Sequence, residues 1–471
     1  MVFSSLLFVC IFMPIVFVLH SVIKNLKVKN GLLLLASLLF YAYGEPYYIF
    51  LMIISAFLNY IFALLISGKK KKVFLVLAVA VNLGILGVFK YTGFLLTALN
   101  DAFSLSFTVP SIPLPIGISF FTFQALSYVI DVYREEVEVQ KNYGKLLLYI
   151  SFFPQLIAGP IVRYKDVASE INKRSADIYD IAFGLRRFIA GLGKKVLISN
   201  TMAVAVDFIF GMETGNLNIF SAWIGALAYI MQIYFDFSGY SDMAIGLGRM
   251  FGFHFKENFN YPYIASTVQD FWRRWHISLS SFFKDYVYIP LGGNRKGKFR
   301  TVMNRIVVFF LTGLWHGANW TFIVWGLFHG FFLLLEEFVP KIKKLPKFIL
   351  HIYTLLAVTA GFVIFRAESL SQAVSFIAEM FIGFDFSSEA MSVAVQPLTP
   401  FFIVTFMVAL VCCGPVSKLS DRVRRLENST ALTKGETALQ LSSFILAFLL
   451  LLWCIIRLAG GSYNPFIYFR F

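Results

Sequence analysis

Residues 302–338 read VMNRIVVFFLTGLWHGANWTFIVWGLFHGFFLLLEEF, and this stretch decides the fold class. It is apolar enough to lie in a bilayer, yet it contains two histidines, His316 and His329. Ionisable groups at membrane depth are costly, and they mark functional sites more often than structural ones. His316, which lies between Trp315 and Gly317, is therefore the leading candidate for a catalytic residue. The alternative is a histidine that only packs between helices, and His329 is open to either interpretation.

Basic residues bound this stretch, with Arg305 near its start and Lys341 just beyond its end. Short loops rich in Lys and Arg stay on the cytoplasmic side of a membrane. The chain must therefore enter and return, and Gly317-Ala318-Asn319 is the predicted turn. His316 follows Arg305 by eleven residues, which corresponds to about 16 Å along a helix. The pattern predicts a helical hairpin with His316 at mid-membrane depth or somewhat beyond.

The composition indicates a membrane protein. The chain has 471 residues, of which 58% are hydrophobic and 14% charged, with a mean hydropathy of +0.74. Soluble proteins are about 45–50% apolar and about 25% charged, so this chain has more apolar surface than a water-soluble core can bury. The net charge of +15 is carried largely by short loops between apolar runs, as membrane orientation requires. We therefore expect no nucleic-acid partner.

Taken in order, the apolar runs predict an all-α polytopic membrane protein with roughly ten to twelve crossings plus re-entrant or amphipathic helices. The first run, residues 1–22, is interpreted as a retained helix with an outside N-terminus. The run at 146–161 is interrupted by prolines and a glycine, and Lys194-Lys195 and residues 418–434 are expected in cytoplasmic loops. We expect one membrane-embedded unit over residues 1–471, with N-terminal helices (1–100), a core (110–340) and C-terminal helices (341–471).

Residues 270–300, DFWRRWHISLSSFFKDYVYIPLGGNRKGKFR, contain no clean crossing and predict a re-entrant or amphipathic segment on the cytoplasmic side. Arg273 and Arg274 are candidates for binding the substrate or donor, and their positive charge would lower the pKa of His276 and favour a neutral imidazole. A histidine packed at the membrane surface is the alternative. The basic loop with Asn294 and Arg295 is suited to a phosphate-bearing donor, although a cytoplasmic anchor explains it at least as well.

The spacing of polar residues favours general-base chemistry. There is no pair of histidines four residues apart and no cysteine cluster, so no metal site is predicted. The Gly-x-Ser-x-Gly motif of serine hydrolases is also absent. A lone buried histidine is suited to removing a proton from an attacking hydroxyl. Asp236 and Asp242, which lie among aromatic residues at 234–242, are candidates for positioning groups.

Several blocks of this sequence resemble the membrane-bound O-acyltransferase family, and in particular its bacterial branch that O-acetylates extracytoplasmic polysaccharides such as alginate or peptidoglycan. The blocks are residues 115–124 (PIGISFFTFQ), 155–161 (QLIAGPI), 234–248 (YFDFSGYSDMAIGLG), 271–280 (FWRRWHISLS), 285–295 (DYVYIPLGGNR), 314–320 (LWHGANW) and 464–471 (NPFIYFRF).

The resemblance implies that His316 matches the family's catalytic histidine and that His276 matches its second characteristic histidine. Trp315 and Asn319, in the same block as His316, become candidates for substrate binding. It also implies a ring of helices around a central tunnel in a bacterial cytoplasmic membrane. The donor, acetyl-coenzyme A or another activated acyl group, would enter from the cytoplasm as a substrate, with no bound cofactor. An extracytoplasmic esterase-like (SGNH-type) partner would complete transfer to the polysaccharide.

Two other functions stay open at this point. Within the family, D-alanyl transfer to teichoic acid is the alternative. From another class, a transporter with His316 in its pathway would also contain broken helices and a mid-membrane histidine, although no inverted repeat is apparent.

Overall fold

The computed structural model describes residues 1–414, 416, 434–461 and 467, with side chains from residue 437 onward in the last long helix. The regular structure within these residues is helical, and no strand occurs among them. The predicted cytoplasmic loop 418–434 and the tail 464–471 lie outside the described residues, except for Lys434 and Ile467.

The chain is a multi-pass membrane protein. Within the described residues, eight helices are long and apolar enough to cross a bilayer: Leu26–Gly44, Tyr48–Ile66, Lys71–Phe103, Ile178–Phe210, Ile219–Met250, Trp320–Phe338, Lys347–Arg366 and Thr437–Ala459. A pair bent by 60°, Ser388–Val395 with Pro400–Cys412, would make a ninth. The larger number predicted from hydropathy includes runs that form apolar helices shorter than a bilayer is thick, namely Phe8–Val22 and Ile118–Tyr133.

The described chain divides into two compact units. The first contains residues 1–188 and 241–256. Besides its spans it includes the helices Tyr143–Ser151, Phe153–Leu156 and Tyr164–Asn172. The predicted interruption of the run at 146–161 is present, because the helix breaks at Phe152. Ser37 Oγ accepts a hydrogen bond from the backbone N–H of Phe153 (3.1 Å), as a helix break in an apolar environment requires.

The second unit contains residues 189–240 and 257–471. Besides its spans it includes the helices Asn200–Phe210, Val268–Arg274, Ile277–Phe283, Lys298–His316, Leu370–Ile382, Ser388–Val395 and Pro400–Cys412, and π-helical turns at Lys194–Ser199 and Lys284–Tyr288. The short helices between Val268 and Tyr288 agree with the prediction that this region does not cross the membrane.

The predicted hairpin is confirmed. Helix Lys298–His316 ends at the expected turn, and helix Trp320–Phe338 begins after Asn319, whose side chain accepts the N–H of Thr321 (3.1 Å). Glycines bring the two backbones together: a Cβ on Gly313 would come within 2.3 Å of the Phe322 carbonyl oxygen, and one on Gly326 within 2.2 Å of the Phe309 carbonyl oxygen. Small residues at such contacts are typical of helix packing in membranes. The hairpin therefore positions His316 at its apex.

Lys194 and Lys195 lie within a helix, so the prediction that they lie in a loop is wrong. The chain is helical from Ile178 to Phe210, with a π-helical turn at Lys194–Ser199. Lys195 is only 2% exposed, and its ammonium lies 2.7 Å from the carboxylate of Asp236. A buried lysine is tolerated when an opposite charge compensates it, and hydropathy along the chain does not reveal that partner.

Candidate active site

His276 and His316 line the same cavity in the second unit. Their ring centroids are 6.4 Å apart, with the rings inclined by 67°. We call this space the histidine cavity; its described lining consists of Ile233, Phe237, Trp275, His276, His316, Trp325, Phe362, Phe365 and Ile467. The space left among these side chains holds about one water-sized or methyl-sized group. The structure thus brings together the two histidines that the sequence singled out, in an otherwise apolar pocket.

Aromatic side chains hold His316 in place at the end of its helix. The residue is 6% exposed, and its ring makes edge-on contacts with Trp325 (5.0 Å between centroids) and Phe365 (5.1 Å). Trp315 is also buried, and its ring lies 5.0 Å from His316 and 5.9 Å from His276. Rings packed in this way restrict rotation of the imidazole, so its orientation is set before a substrate arrives.

His276 occupies an unusual backbone position. Its φ of 43° is in the left-handed region, between helices Val268–Arg274 and Ile277–Phe283. Such conformations are uncommon for residues other than glycine and cluster at functional sites. Ring contacts with Phe237 (4.5 Å) and Trp315 help to hold the side chain. The strained turn directs the chain so that His276 is 1% exposed and part of the cavity lining.

Asn258 sets the tautomer of His276. Its Oδ1 accepts hydrogen bonds from the backbone N–H and the hydroxyl of Ser278 (3.1 and 2.8 Å) and lies 3.3 Å from His276 Nδ1. Because a backbone N–H can only donate, Oδ1 is the acceptor and Nδ1 carries the hydrogen. Nε2 is then an acceptor, and it forms no hydrogen bond within the described structure. The sequence contains no pattern that identifies Asn258.

Burial lowers the pKa of His276 to about 3, so its imidazole is neutral at ordinary pH. The neutral state agrees with the sequence-based expectation, but the cause differs. The charge of Arg274 is paired with Asp270 (3.0 Å), and Arg273 is exposed. Desolvation in the apolar cavity, rather than repulsion from these arginines, keeps the proton off.

A buried ion pair connects Asp236 to the cavity wall. One carboxylate oxygen of Asp236 lies 2.7 Å from Lys195 Nζ, and the other accepts the backbone N–H of Ile467 (2.9 Å). Ile467 is 4% exposed and belongs to the lining. Asp236, predicted as a positioning residue, thus contacts a cavity-lining residue directly, whereas Lys195 and Ile467 were not predicted.

Glu336 holds the short helix that leads to His276. Its carboxylate accepts the backbone N–H groups of Val268 (2.6 Å) and Gln269 (3.0 Å), at the N-terminus of helix Val268–Arg274. An acidic group at this position satisfies unpaired donors and complements the helix dipole. Glu336 is almost completely buried, and nothing in the sequence separates it from the neighbouring Glu337.

A second, wider pocket shares two walls with the histidine cavity. We call it the open pocket; its volume is about 440 Å³, and it is lined by Tyr229, Gln232, Asn319, Thr321, Phe322, Phe365, Arg366, Ala367, Glu368 and Ile467. Phe365 and Ile467 belong to both linings. Asn319, a predicted binding residue, donates its side-chain N–H to the Glu368 carbonyl (3.2 Å). Unlike the histidine cavity, the open pocket is lined by several polar residues, among them Gln232, Arg366 and Glu368.

The structure does not bring the other predicted binding residues to these cavities. Asp242 belongs to the first unit, where it forms an ion pair with Arg187 (2.6 Å). Asn294 and Arg295 are exposed in the glycine-rich turn before helix Lys298–His316. Together with Arg273 and Arg274, they are not among the lining residues of either pocket. In the part of the chain that is described, no group of three His, Cys, Asp or Glu side chains is arranged to hold a metal ion.

His329 lies behind the site rather than in it. It is completely buried between Trp272 and Trp325, with ring centroids 5.2 Å from each. Neither ring nitrogen forms a hydrogen bond within the described structure. The indole of Trp325, which also contacts His316, separates His329 from the cavity.

Comparison with known proteins identifies the family of this chain. Residues 49–367 match the model of the membrane-bound O-acyltransferase family. The chain is 40% identical to a probable alginate O-acetylase AlgI of Pseudomonas putida, with all of both chains covered. It is 39% identical to a peptidoglycan O-acetyltransferase of Helicobacter pylori over 81% of this chain and 80% of that protein. A teichoic acid D-alanyltransferase of Bacillus subtilis is 30% identical over 50% of this chain and 62% of its own.

The matched residues include both histidines, the hairpin and most of the cavity lining. A family match over more than half of the chain and full-length similarity to an O-acetylase lead to the same assignment. The chain belongs to the membrane-bound O-acyltransferase family.

Proposed function

We propose that this chain transfers an acetyl group from a cytoplasmic donor for O-acetylation of an extracytoplasmic bacterial polysaccharide. One observation carries the proposal: His276 and His316 meet in a buried, apolar cavity that has room for little more than a methyl group. The full-length similarity to alginate O-acetylases supports the acetyl group and the polysaccharide. The membrane would be the bacterial cytoplasmic membrane, which has the donor on one side and the acceptor on the other.

In the proposed reaction His316 is the general base. It takes the proton of the acceptor hydroxyl while that oxygen bonds to the acetyl carbonyl carbon. The carbon–sulfur bond of a thioester donor such as acetyl-coenzyme A then breaks, and the thiolate receives the proton. His276, neutral and held by Asn258 with Nε2 as an acceptor, positions the substrate by accepting a hydrogen bond from another donor, because the single proton of the reacting hydroxyl goes to His316. The polar open pocket is the proposed route of the acceptor, which is either the polysaccharide or an esterase-like partner protein.

The lining of the histidine cavity favours acetyl over D-alanyl transfer. A D-alanyl group has an ammonium, and burying it without a counter-charge is costly. Among the described lining residues none is Asp or Glu. Asp236 is close by, but its two oxygens already bind Lys195 and the N–H of Ile467.

The test uses membranes of the source bacterium in which variants replace the native chain, supplied with isotope-labelled acetyl-coenzyme A. We expect labelled acetyl ester on the polysaccharide with the wild type and a loss of about 10²–10⁴-fold with His316→Ala. His254→Ala, at an exposed histidine paired with Glu170 in the first unit, is the matched control. Wild-type rates with His316→Ala would refute the catalytic assignment. Transport of substrate without any covalent label would indicate a transporter instead.

A further inference from the structure

We propose that Ile467 limits the transferred acyl group to two carbons, and that the buried Lys195–Asp236 ion pair holds Ile467 in place for this purpose. The inference rests on the proposed acetyl transfer, because it assigns the histidine cavity to the acyl group. It concerns a residue far along the chain from both histidines.

Ile467 forms part of the wall between two spaces. Ile467 lines both the histidine cavity and the open pocket, and among the described residues Phe365 is the only other one that does so. Phe365 is fixed within helix Lys347–Arg366 and packs edge-on against His316 and Trp325. Ile467 is the aliphatic part of the shared wall. Removing its side chain beyond Cβ would therefore join the small cavity to a space of about 440 Å³.

The anchor of Ile467 is unusually well buried. Its backbone N–H donates to Asp236 (2.9 Å), whose carboxylate also binds Lys195, and both charged side chains are almost inaccessible to water. Hydrogen bonds to a charged acceptor are stronger than those between neutral groups. The ion pair thus holds Ile467 at a fixed depth beside the histidines, as a size limit requires.

The chemistry of the lining indicates which part of the substrate lies there. The lining is aromatic or aliphatic apart from the two histidines, so it suits the methyl end of an acyl group while the carbonyl faces the imidazoles. A third or fourth acyl carbon would exceed the space left in the cavity, of which Ile467 and Phe365 form one wall. Close-packed walls of this kind discriminate between ligands that differ by single methylene groups.

The experiment compares acetyl-, propionyl- and butyryl-coenzyme A as donors in the membranes described above. The wild type is expected to favour acetyl over butyryl strongly. Ile467→Ala should raise the butyryl-to-acetyl rate ratio by about tenfold or more, since one methylene changes discrimination by about 10–200-fold. Ile467→Val, a smaller change, should admit propionyl but not butyryl. The matched control is Ile364→Ala, a buried isoleucine on the helix of Phe365 that is outside both linings. It should change the ratio by less than about twofold.

A second variant tests the anchor. Lys195→Met with Asp236→Leu removes both buried charges together and keeps Ile467, and it should also raise the butyryl-to-acetyl ratio. An active Ile467→Ala or Ile467→Val protein with the wild-type donor preference would overturn the size limit and leave the proposed function intact. No acyl transfer by the wild type from any of the three donors would refute the proposed function itself.

Discussion

Breaking the Lys195–Asp236 pair should destabilise the protein far more than removing the pair as a whole. The two side chains are 2% and 1% exposed and 2.7 Å apart. Removing one partner of such a pair leaves an uncompensated buried charge, at a cost of about 3–5 kcal/mol. Asp236→Ala also leaves the N–H of Ile467 without its acceptor, which adds about 1–3 kcal/mol. We expect Asp236→Ala to lose at least about 4 kcal/mol and Lys195→Met about 3–5 kcal/mol.

The double variant Lys195→Met/Asp236→Leu should behave differently. Replacing a buried ion pair by apolar residues of similar volume is neutral or stabilising by about 1–4 kcal/mol, which offsets the loss at Ile467. Its stability should therefore lie within about 2 kcal/mol of the wild type and above that of either single variant. A suitable comparison is Asp207→Ala, which breaks the more exposed Asp207–Arg366 pair (2.8 Å) in the same unit. Its cost should be about 1 kcal/mol.

The assay is unfolding of the detergent-solubilised protein, followed by tryptophan fluorescence. Both single variants should unfold several degrees below the wild type, and the double variant close to it. If Asp236→Ala unfolded within about 0.5 kcal/mol of the wild type, the pair would not be buried as the structure indicates. If the double variant were as unstable as the sum of the single variants, charge compensation would not explain the burial of Lys195.

Three further predictions concern residues around the two histidines. Glu336→Ala removes the acceptor of two backbone N–H groups on the helix that leads to His276. The kcat of acetyl transfer should fall at least about tenfold, and Glu336→Gln should restore part of it. Equal rates for the Ala and Gln variants would contradict this positioning role. Because burial lowers the folded-state pKa of His276 to about 3, the unfolded chain takes up a proton below pH 6.5 that the folded chain does not. Proton uptake by the unfolded chain leaves the free energy of unfolding unchanged above pH 6.5 and lowers it as the pH falls, by about 2 kcal/mol between pH 7 and 5. The unfolding temperature of His276→Gln should therefore depend less on pH than that of the wild type. Equal slopes for the two proteins would show that His276 can be protonated in the folded protein. His329→Leu removes a buried imidazole that has no hydrogen-bond partner within the described structure. The variant should therefore unfold at the same temperature as the wild type or at a higher one, and it should keep most of its activity. A loss of activity like that of His316→Ala would place His329 in the reaction.

The hairpin and the membrane class could be predicted because they depend on local properties. Runs of apolar residues, basic loops and the Gly317–Asn319 turn are visible along the chain. His316 could also be singled out, since an ionisable residue in an apolar run is conspicuous without knowledge of its neighbours. The neutral state of His276 was expected as well, but its cause was not, because desolvation depends on what surrounds the imidazole in three dimensions.

Only the tertiary structure shows which residues line the histidine cavity and which contacts hold them in place. Asp236 and the N–H that it binds at Ile467 are 231 positions apart, and Glu336 reaches a helix 68 positions earlier. Lys195 looks like any loop lysine until its buried partner is known. Hydropathy, turn chemistry and charge bias act over one or two helical turns, whereas charge compensation and cavity shape arise from contacts between distant segments. The sequence alone therefore determined a membrane-embedded helical protein with His316 as the leading candidate for a catalytic residue, and tertiary packing determined which side chains enclose that histidine's cavity and hold its walls in place.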